Sequence, residues 1–315
     1  MISTQGKSGA RRNSTIWAVG GGKGGIGKSF ISSSLAICVA RLGKSVVLVD
    51  LDLGSANLHT CLGLKSPQKT LSDFISGRVS RFSDLAEPTG IPGLSLITGS
   101  NDSLDVASTS QETTDKIIHS IRELEFDVVI LDLGAGTTEH TLDFFLSADQ
   151  KIVAITPEPT AIENAYRFMK ASFYRKLRSV EEELGLQKVI ASAMDPHNEN
   201  AIRSPADLIK YLNQVDPLNA ARLKEKIADF RMGLLLNQVR SRQDVDMGYA
   251  IKSVCKKYFG METDFLGCID HDNAVWQSLR KKRPPLIELP YGSLVGQFLG
   301  VSKNLLHPQS LKAVV

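Results

Sequence analysis

The chain has few cysteines and little net charge. Its four cysteines among 315 residues form no C-x-x-C pair and no metal-type spacing with histidine, so reduced and mostly buried thiols are predicted. The formal net charge of +3 is too small to imply a nucleic-acid or membrane partner by itself. The composition therefore points away from a disulfide or metal framework built on Cys38, Cys61, Cys255 or Cys268.

Long apolar runs are also missing. No window approaches the roughly 18 apolar residues of a membrane span, and the N-terminal segment lacks the apolar stretch of a signal peptide. Residues 1–14 are rich in Ser, Gly, Lys and Arg and contain no acid, which predicts a flexible lead-in. Because 42% of the residues are hydrophobic, the chain can form a core and fits a soluble cytoplasmic enzyme.

The most informative feature that is present is a phosphate-binding loop. Residues 22–29 read GKGGIGKS and satisfy the pattern G-x-x-x-x-G-K-[ST]. In this pattern backbone N–H groups converge on phosphate oxygens, Lys28 neutralises terminal phosphate charge, and the Ser29 hydroxyl ligates magnesium. An apolar run precedes the loop and helical spacing follows it, which suits a strand-to-helix junction. The expected nucleotide-binding residues are Gly22, Gly24, Gly25, Ile26, Gly27, Lys28, Ser29 and Phe30.

Predicted strands and helices alternate along the chain. This alternation predicts an α/β fold: one P-loop NTPase domain over residues 15–306, with a mostly parallel sheet of about seven to eight strands and helices on both faces. Several strands end at polar or glycine-rich segments, which should meet around one nucleotide at the carboxyl edge of the sheet. The predicted strands are 16–19, 45–49, 94–98, 128–131, 151–155, 233–236 and 265–268.

Two of these apolar strands lead into aspartates. The first is followed by the segment 50–54 (DLDLG) and the second by the segment 132–136 (DLGAG). Because hard cations prefer carboxylate oxygen, Asp132 is expected to support magnesium. Asp50 is either a further metal ligand or a residue that contacts the ligands without contacting the metal. Asp52 is expected to orient the attacking water near the terminal phosphate. The alternative for each aspartate is a helix cap or a turn.

These residues resemble the MinD/ParA class of SIMIBI-type P-loop ATPases. Residues 23–29 (KGGIGKS) are similar to the deviant Walker A motif KGGxGK[ST] of that class. Residues 50–52 (DLD), together with Asn57 and Leu58, resemble the first switch segment of that class. Residues 132–136 resemble its second switch segment, in which proline is commoner at the position of Gly134. Residues 156–166 (TPEPTAIENAY) are similar to the FlhG (FleN) branch, MinD-like ATPases that control flagellar number and placement.

The resemblance implies an ATP-hydrolysing switch that forms an ATP-sandwich homodimer with ATP or ADP and Mg²⁺. Lys23, Lys28, Asp52 and Asp132 would be the catalytic residues, and Lys23 would reach the nucleotide of the partner subunit. This role has a physical reason, since two facing phosphate loops concentrate negative charge that a cation from each side stabilises.

The resemblance also implies contacts to the base. Asn237 corresponds to an adenine-contacting asparagine of the family, and its amide can both donate and accept hydrogen bonds. Asp270, His271 and Asp272 correspond to a P-x-D/E segment, with Asp270 in place of the usual proline. The alternative is an ordinary loop followed by a capped helix from Asn273.

Residues between about 177 and 232 interrupt the resemblance. Helix-start signals at Ser204-Pro205 and Asp216-Pro217 predict a helical insertion, with the second helix running from Leu218 to Phe230. The insertion could contact a partner or the other subunit, or could be a surface elaboration.

Three further features bear on partners and location. A helix over about 292–306 has an apolar face that fits either core packing or membrane attachment, and residues 307–315 form a short tail. The basic cluster 280–283 fits either the end of a helix or ParA-like DNA binding. We therefore expect a cytoplasmic protein, with peripheral membrane or pole association as an open alternative, and an unidentified activating or cargo protein as partner.

Two rival functions share this fold. One is a ParA-like DNA or cargo partitioning ATPase. The other is a biosynthetic ATP-dependent enzyme or an iron–sulfur carrier, although Cys255 and Cys268 lack the paired motif expected of a carrier.

Overall fold

The computed structural model describes residues 14–53, 56–65, 67–99, 110–194, 202, 204–228, 230–259 and 263–307. The predicted lead-in up to residue 13, Gly54 and the tail from residue 308 lie outside this described part.

Eight strands form one sheet in the described part of the chain. They are β1 (Thr15–Gly20), β2 (Val46–Leu51), β3 (Glu87–Pro88), β4 (Leu94–Ile97), β5 (Val128–Leu133), β6 (Gln150–Ile155), β7 (Met232–Val239) and β8 (Thr263–Asp270). Their order across the sheet is β3-β4-β2-β5-β1-β6-β7-β8, and all neighbours are parallel except β3 and β4. The carboxyl ends of the parallel strands therefore share one edge, where α/β proteins bind ligands.

Helices cover both faces of the sheet. Those of the described residues are α1 (Lys28–Arg41), α2 (Leu58–Cys61), α3 (Leu71–Ile75), α4 (Gln111–Arg122), α5 (Glu139–Ser147), α6 (Pro159–Leu184), α7 (Gln187–Met194), α8 (Pro205–Val215), α9 (Pro217–Lys226), α10 (Arg242–Phe259), α11 (Asn273–Arg280), α12 (Pro285–Glu288) and α13 (Ser293–Leu306), with a 3₁₀ helix at Phe82–Leu85. Helices α1 and α13 pack on one face, and α4, α5, α6 and α10 pack on the other.

Alternate residues of β1 face these two layers. Trp17 and Val19 belong to the core that includes α1 and α13, whereas Ile16 and Ala18 belong to the core that includes α5 and α6. Because both faces of the strand are buried, its sequence is continuously apolar rather than alternating. The predicted α/β class with a mostly parallel, doubly covered sheet is confirmed.

The structure extends several predicted strands, namely β7, β8 and, beside the glycine-rich loop, β2 and β5. All seven predicted strands are present, but β2 and β5 continue through Asp50 and Asp132 instead of ending before them. These two aspartates are register partners in the sheet, so both backbones are held by the sheet itself. Strand β3 was not predicted, because two residues that include the edge proline Pro88 carry no periodic signal.

Helices occupy the predicted insertion. Both predicted helix starts are confirmed, since the Ser204 side chain accepts the N–H of Asp207 and the Asp216 side chain accepts the N–H of Asn219. Helix α6 runs unbroken past residue 177, so the structure has no helix boundary at that position. The insertion as a separate unit remains a prediction.

The second insertion helix is shorter than predicted. It ends at Lys226 rather than at Phe230, and Phe230 turns into the core, where its ring centroid lies 5.9 Å from that of Phe173. Burial of this ring takes precedence over continuing the helix.

The C-terminal helix α13 packs in the core. Leu294, Val295, Phe298 and Leu305 are buried, and the Phe298 ring meets the Phe30 ring edge-on at a centroid distance of 5.4 Å. The sequence allowed either core packing or membrane attachment for this apolar face, and in the structure the face packs in the core. Among the described residues, no helix combines the length and apolarity needed to cross a bilayer.

Candidate functional site

The glycine-rich loop joins β1 to α1, as predicted. Helix α1 begins at Lys28, and Gly27 precedes it with a left-handed backbone (φ 91°) that residues other than glycine rarely adopt. The N-terminus of α1 therefore directs its free backbone N–H groups at the loop, which is a favourable position for phosphate. Of the predicted contacts, Phe30 can offer only its backbone, because its ring is buried in the core.

Both ends of the loop pack tightly against other parts of the chain. A Cβ atom on Gly22 would lie 2.0 Å from the carbonyl oxygen of Asn164 in α6. One on Gly27 would lie 2.4 Å from Asn237 Nδ2, and this amide nitrogen donates to the Ile26 carbonyl at 2.8 Å. Packing against α6 and the end of β7 thus fixes the conformation of the loop.

This packing predicts different effects for two glycine substitutions. We expect Gly22→Ala to lower the free energy of unfolding by about 1–3 kcal/mol, because the backbone of α6 must move to accept the methyl group. The matched control is Gly24→Ala, whose Cβ meets no atom within 4 Å and which should change the unfolding free energy by less than about 0.5 kcal/mol. Urea denaturation of the nucleotide-free proteins measures both, and equal stabilities of the two variants would contradict the prediction.

Two buried aspartates lie beside the loop. Asp132 accepts a hydrogen bond from the Ser32 hydroxyl at 2.8 Å, and the Ser29 side chain also lies beside its carboxyl group. Asp50 accepts the backbone N–H groups of Asp52 and Leu58, both at 3.1 Å. Asp50 therefore shapes the first switch segment, whereas Asp132 lies directly behind the predicted magnesium ligand Ser29.

The sequence did not single out Ser32. It lies one helical turn after Lys28, so the spacing i to i+4 places it on the same face of α1. That spacing is the signal that could have identified it.

The donor set fits a magnesium ion. A hydroxyl group and carboxylates are hard oxygen ligands, and burial raises the pKa of both carboxyls, of Asp50 to about 8 and of Asp132 to about 6. The negative charge of Asp132 adds to the shift at Asp50. A bound cation would favour the ionised forms of both carboxyl groups and would thereby stabilise their neighbouring negative charges.

Nucleotide-free protein should lose stability as the pH rises. Because both carboxyls have pKa values above their unfolded value of 3.8, the folded state binds more protons than the unfolded state above about pH 4. This stabilisation is complete below about pH 4 and is lost as the pH rises through about 6 and about 8. Thermal denaturation between about pH 5 and 8.5 measures it. The melting temperature of Asp50→Asn should fall less steeply than that of the wild type, and parallel pH curves would refute the assignment.

Lys28 and Asp52 complete the charged groups at the loop. Burial lowers the pKa of Lys28, while the nearby carboxylates of Asp132 and Asp52 act in the opposite direction. A Cβ on Gly134 would lie 3.3 Å from Asp52 Oδ1, so the two switch segments are in close proximity. The structure thus brings together four of the predicted site residues: Lys28, Asp50, Asp52 and Asp132.

Lys23 lies at the mouth of the loop and contacts its own chain. Its Nζ atom is 3.1 Å from Glu158 Oε2 and 3.1 Å from Thr160 Oγ1, at the junction of β6 and α6. The sequence interpretation included this junction in the family resemblance but assigned no role to either residue. Action of Lys23 on a partner subunit remains a prediction.

The predicted base-binding residues lie near the carboxyl ends of β7 and β8. Asp272 Oδ1 accepts the N–H of Ala274 at 2.8 Å and caps α11, so the capped-helix alternative is present in the structure. The backbone N–H of His271 donates to the Val239 carbonyl at 2.7 Å, and the N–H of Asp270 donates to the Gln297 side chain at 3.0 Å. These bonds hold the loop against the end of β7 and against α13, and base contact remains a prediction.

A cavity of about 740 Å³ opens beside this loop. Two arginines and an exposed tyrosine that the sequence interpretation did not single out line it, together with His271. No motif marks these positions, which lie close together in sequence after β7, and the packing of α10 on β8 places them beside His271. They are Arg240, Arg242 and Tyr249.

The basic cluster lies where α11 ends, as one of the two interpretations predicted. The Arg280 guanidinium stacks on the exposed Trp276 ring, 4.6 Å from its centroid. Lys281 and Arg283 approach Glu288 at 3.4 and 3.8 Å. Three of the four cations in this cluster therefore have partners within the chain.

The fold and site define a P-loop nucleotide-binding protein. Its parallel sheet has a glycine-rich loop between β1 and α1 and an aspartate near the carboxyl end of each of two neighbouring strands. The profile of the CobQ/CobB/MinD/ParA nucleotide binding domain matches residues 17–286, so the chain belongs to this family. The predicted MinD/ParA membership is thereby confirmed.

Three curated relatives are similar over part of their length. The antiactivator FleN of Pseudomonas aeruginosa is 34% identical over 156 residues, which are 49% of this chain and 55% of FleN. The flagellum site-determining protein YlxH of Helicobacter pylori is 32% identical over 166 residues, 52% of this chain and 55% of YlxH. The septum site-determining protein MinD of Bacillus subtilis is 32% identical over 149 residues, 47% of this chain and 55% of MinD. The chain thus spans about half the length of the curated relatives it matches.

Solved structures share the fold over nearly the whole chain. The septum site-determining protein MinD from Pyrococcus horikoshii OT3, complexed with Mg-ADP, has a TM-score of 0.64 at 20% identity and covers 96% of this chain and 100% of its own. A MinC:MinD cell division protein complex from Aquifex aeolicus has a TM-score of 0.58 at 17% identity, covering 93% and 96%. At these identities the likeness supports the fold alone.

Proposed function

We propose that the protein is an ATP-hydrolysing switch that forms an ATP-sandwich homodimer and controls the position or number of a cellular structure. The observation that carries the proposal is the convergence of Lys28, Asp52 and Asp132 on one glycine-rich loop. The names of FleN and YlxH support a flagellar role, and that of MinD supports positioning more generally. The switch would act in the cytoplasm, with an activating or cargo protein as partner.

The residues support a division of labour during hydrolysis. Backbone N–H groups of the loop and Lys28 would hold the phosphates, and Ser29 with Asp132 would hold Mg²⁺. The ion would neutralise charge on the phosphate oxygens. Asp52 would accept a hydrogen bond from a water molecule and align this water with the γ-phosphorus. As the water oxygen bonds to the γ-phosphorus, the bond between the γ-phosphorus and the oxygen that bridges it to ADP breaks.

Lys23 makes the proposal specific for a dimer. A lysine at the exposed mouth of the loop can reach phosphate charge on a facing subunit, where it would stabilise charge that builds up during transfer. The same role requires that Lys23 leave its contacts with Glu158 and Thr160. Binding of a partner protein would then depend on nucleotide state.

Light scattering coupled to size-exclusion chromatography tests this proposal. We expect the 34.3 kDa chain to be monomeric with ADP and to double in mass with Mg-ATP. Lys23→Ala should remain monomeric with both nucleotides, because two facing triphosphates then lack the cations that neutralise them. The exposed Lys44→Ala is the control and should dimerise like the wild type. ATP-dependent dimers of Lys23→Ala would contradict the shared site.

The iron–sulfur alternative receives no support from the cysteines. The four described cysteines are free thiols, and Cys255 is buried with its Sγ atom 3.8 Å from Met169 Sδ. Burial also raises the pKa of the Cys255 thiol to about 12, which disfavours the thiolate that binds metal. Cys255 is therefore a core residue.

A further inference from the structure

The contacts of Lys23 with its own chain join two elements of the site, the glycine-rich loop and the start of α6. The Lys23 ammonium lies 3.1 Å from both the Glu158 carboxylate and the Thr160 hydroxyl. The side chains of Lys23 and Glu158 are 37% and 59% exposed. The group that the proposed function assigns to a partner's phosphates is thus held within its own subunit by an accessible ion pair.

The two acceptors are fixed by the backbone around them. The N–H of Glu158 donates to the Thr156 carbonyl at 2.8 Å, and the Glu158 carbonyl accepts the N–H groups of Ala161 and Ile162 at 3.0 Å each. This turn leads directly into α6, a helix of 26 residues. Glu158 and Thr160 therefore sit on a rigid element rather than on a freely moving loop.

The loop that carries Lys23 is fixed against the same element. Gly22, its neighbour in sequence, approaches the Asn164 carbonyl so closely that no side chain fits between them. The backbone on both sides of the ion pair is therefore in contact, and release of Lys23 requires only rotation of its own side chain.

We propose that Glu158 and Thr160 are positioning residues that hold Lys23 on its own subunit until the triphosphate of a facing subunit competes for it. This inference rests on the proposed function, because it supposes that Lys23 acts across a dimer. The competition favours release, since a triphosphate with its several charges attracts an ammonium group more strongly than one exposed carboxylate does. Only the triphosphate state would then free the lysine, which adds to the nucleotide dependence of dimerisation.

The strength of this hold sets the size of the expected effect. An exposed ion pair of this kind changes an equilibrium by about two- to fivefold at most. A subunit can dimerise only while its Lys23 is released, so the apparent dissociation constant rises as the released fraction falls. Because both subunits of a dimer must release Lys23, removing the hold should lower the dimer dissociation constant by about four- to twenty-fivefold. The hold should also weaken as salt concentration rises.

Variants of the two positioning residues provide the test. With a non-hydrolysable ATP analogue, Glu158→Gln should dimerise with a dissociation constant about four- to twenty-fivefold lower than that of the wild type. Thr160→Val should shift it in the same direction by less, and Thr160→Ser, which keeps the hydroxyl, should restore the wild-type value. The control is Glu163→Gln, which removes the neighbouring exposed pair with Arg167 and should change nothing. A Glu158→Gln dimer that is equal to or weaker than the wild type would overturn the inference.

A second measurement separates this inference from the proposed function. Reductive methylation of the Lys23 amine in the nucleotide-free protein, followed by mass spectrometry, reports its accessibility without any dimer. We expect methylation about two- to fivefold faster in Glu158→Gln than in the wild type. Equal rates would refute the hold itself. If the wild type fails to dimerise with the analogue while the rates differ, the shared-site function fails and the intrachain hold stands.

Discussion

Replacing Lys28 with alanine should lower ATP turnover by about 100- to 1,000-fold, the effect of removing a preorganised charged donor from a phosphate site. Lys28 is buried at the first position of α1, with the carboxylates of Asp132 and Asp52 close to it. Burial lowers its pKa, so the ammonium gains strongly when the negative charge of a triphosphate arrives. The other lysine of the loop, Lys23, is exposed and contacts Glu158 and Thr160 instead.

Phosphate release and binding of a fluorescent ATP analogue measure the two effects of Lys28→Ala. Lys44→Ala serves as the control, since this lysine is exposed beyond the opposite end of α1 and should retain wild-type turnover. The hydrogen bond from the Ser32 hydroxyl to Asp132 does not involve the Lys28 side chain, so a folded Lys28→Ala protein is expected. Turnover within a few-fold of the wild type in a folded variant would exclude the loop as the phosphate site.

Replacing Asp52 with alanine should separate hydrolysis from dimerisation. We expect turnover to fall by about 100-fold or more, because no carboxylate then orients water at the terminal phosphate. The first switch should keep its shape, since Asp50 accepts the backbone N–H of residue 52, which alanine retains. Stable dimers should therefore form with Mg-ATP and persist, whereas wild-type dimers should disappear as ATP is consumed.

Asp84→Ala is the matched control for Asp52→Ala. Asp84 is an exposed aspartate that pairs with Arg81 at 3.6 Å, outside the site. Its substitution should alter neither turnover nor the lifetime of the dimer. If Asp52→Ala hydrolyses ATP like the wild type, water is oriented by another group, and the role of Asp52 is limited to its charge near Lys28.

The two substitutions should give opposite oligomeric states. Lys28→Ala is expected to stay monomeric with ATP because it binds the triphosphate poorly, and Asp52→Ala is expected to accumulate as a dimer because it binds without hydrolysing. Two variants that are equally inactive for different reasons would show that turnover and assembly are separate steps of one cycle.

Much of the fold follows from local sequence pattern. The apolar runs that form β1, β5 and β6 are buried on both faces, and such runs are recognisable because every residue in them avoids water. The glycine-rich loop is equally local: its motif places Lys28 and Ser29 at the start of a helix whatever the rest of the chain does. Helix starts at Ser204 and Asp216 were predictable for the same reason, since capping involves only neighbouring residues.

Other features depended on how distant segments pack. The pairing of Asp50 with Asp132 requires β2 and β5 to be neighbours in a given register, which no short segment specifies. The use of the α13 apolar face was likewise open, because an amphipathic pattern records that a face avoids water and not what covers it.

The sequence by itself determined the nucleotide loop, the class of fold and the identity of the acidic residues, because each depends on the chemistry and spacing of nearby residues. Only the tertiary structure decided which groups those residues meet. Lys23 shows the difference, since the motif marks it as a cation at the loop mouth, while its contact with Glu158 joins positions 135 residues apart. Contacts over such distances are set by the packing of α6 beside the loop, where Ala161 of α6 and Ile26 of the loop are buried in the same core.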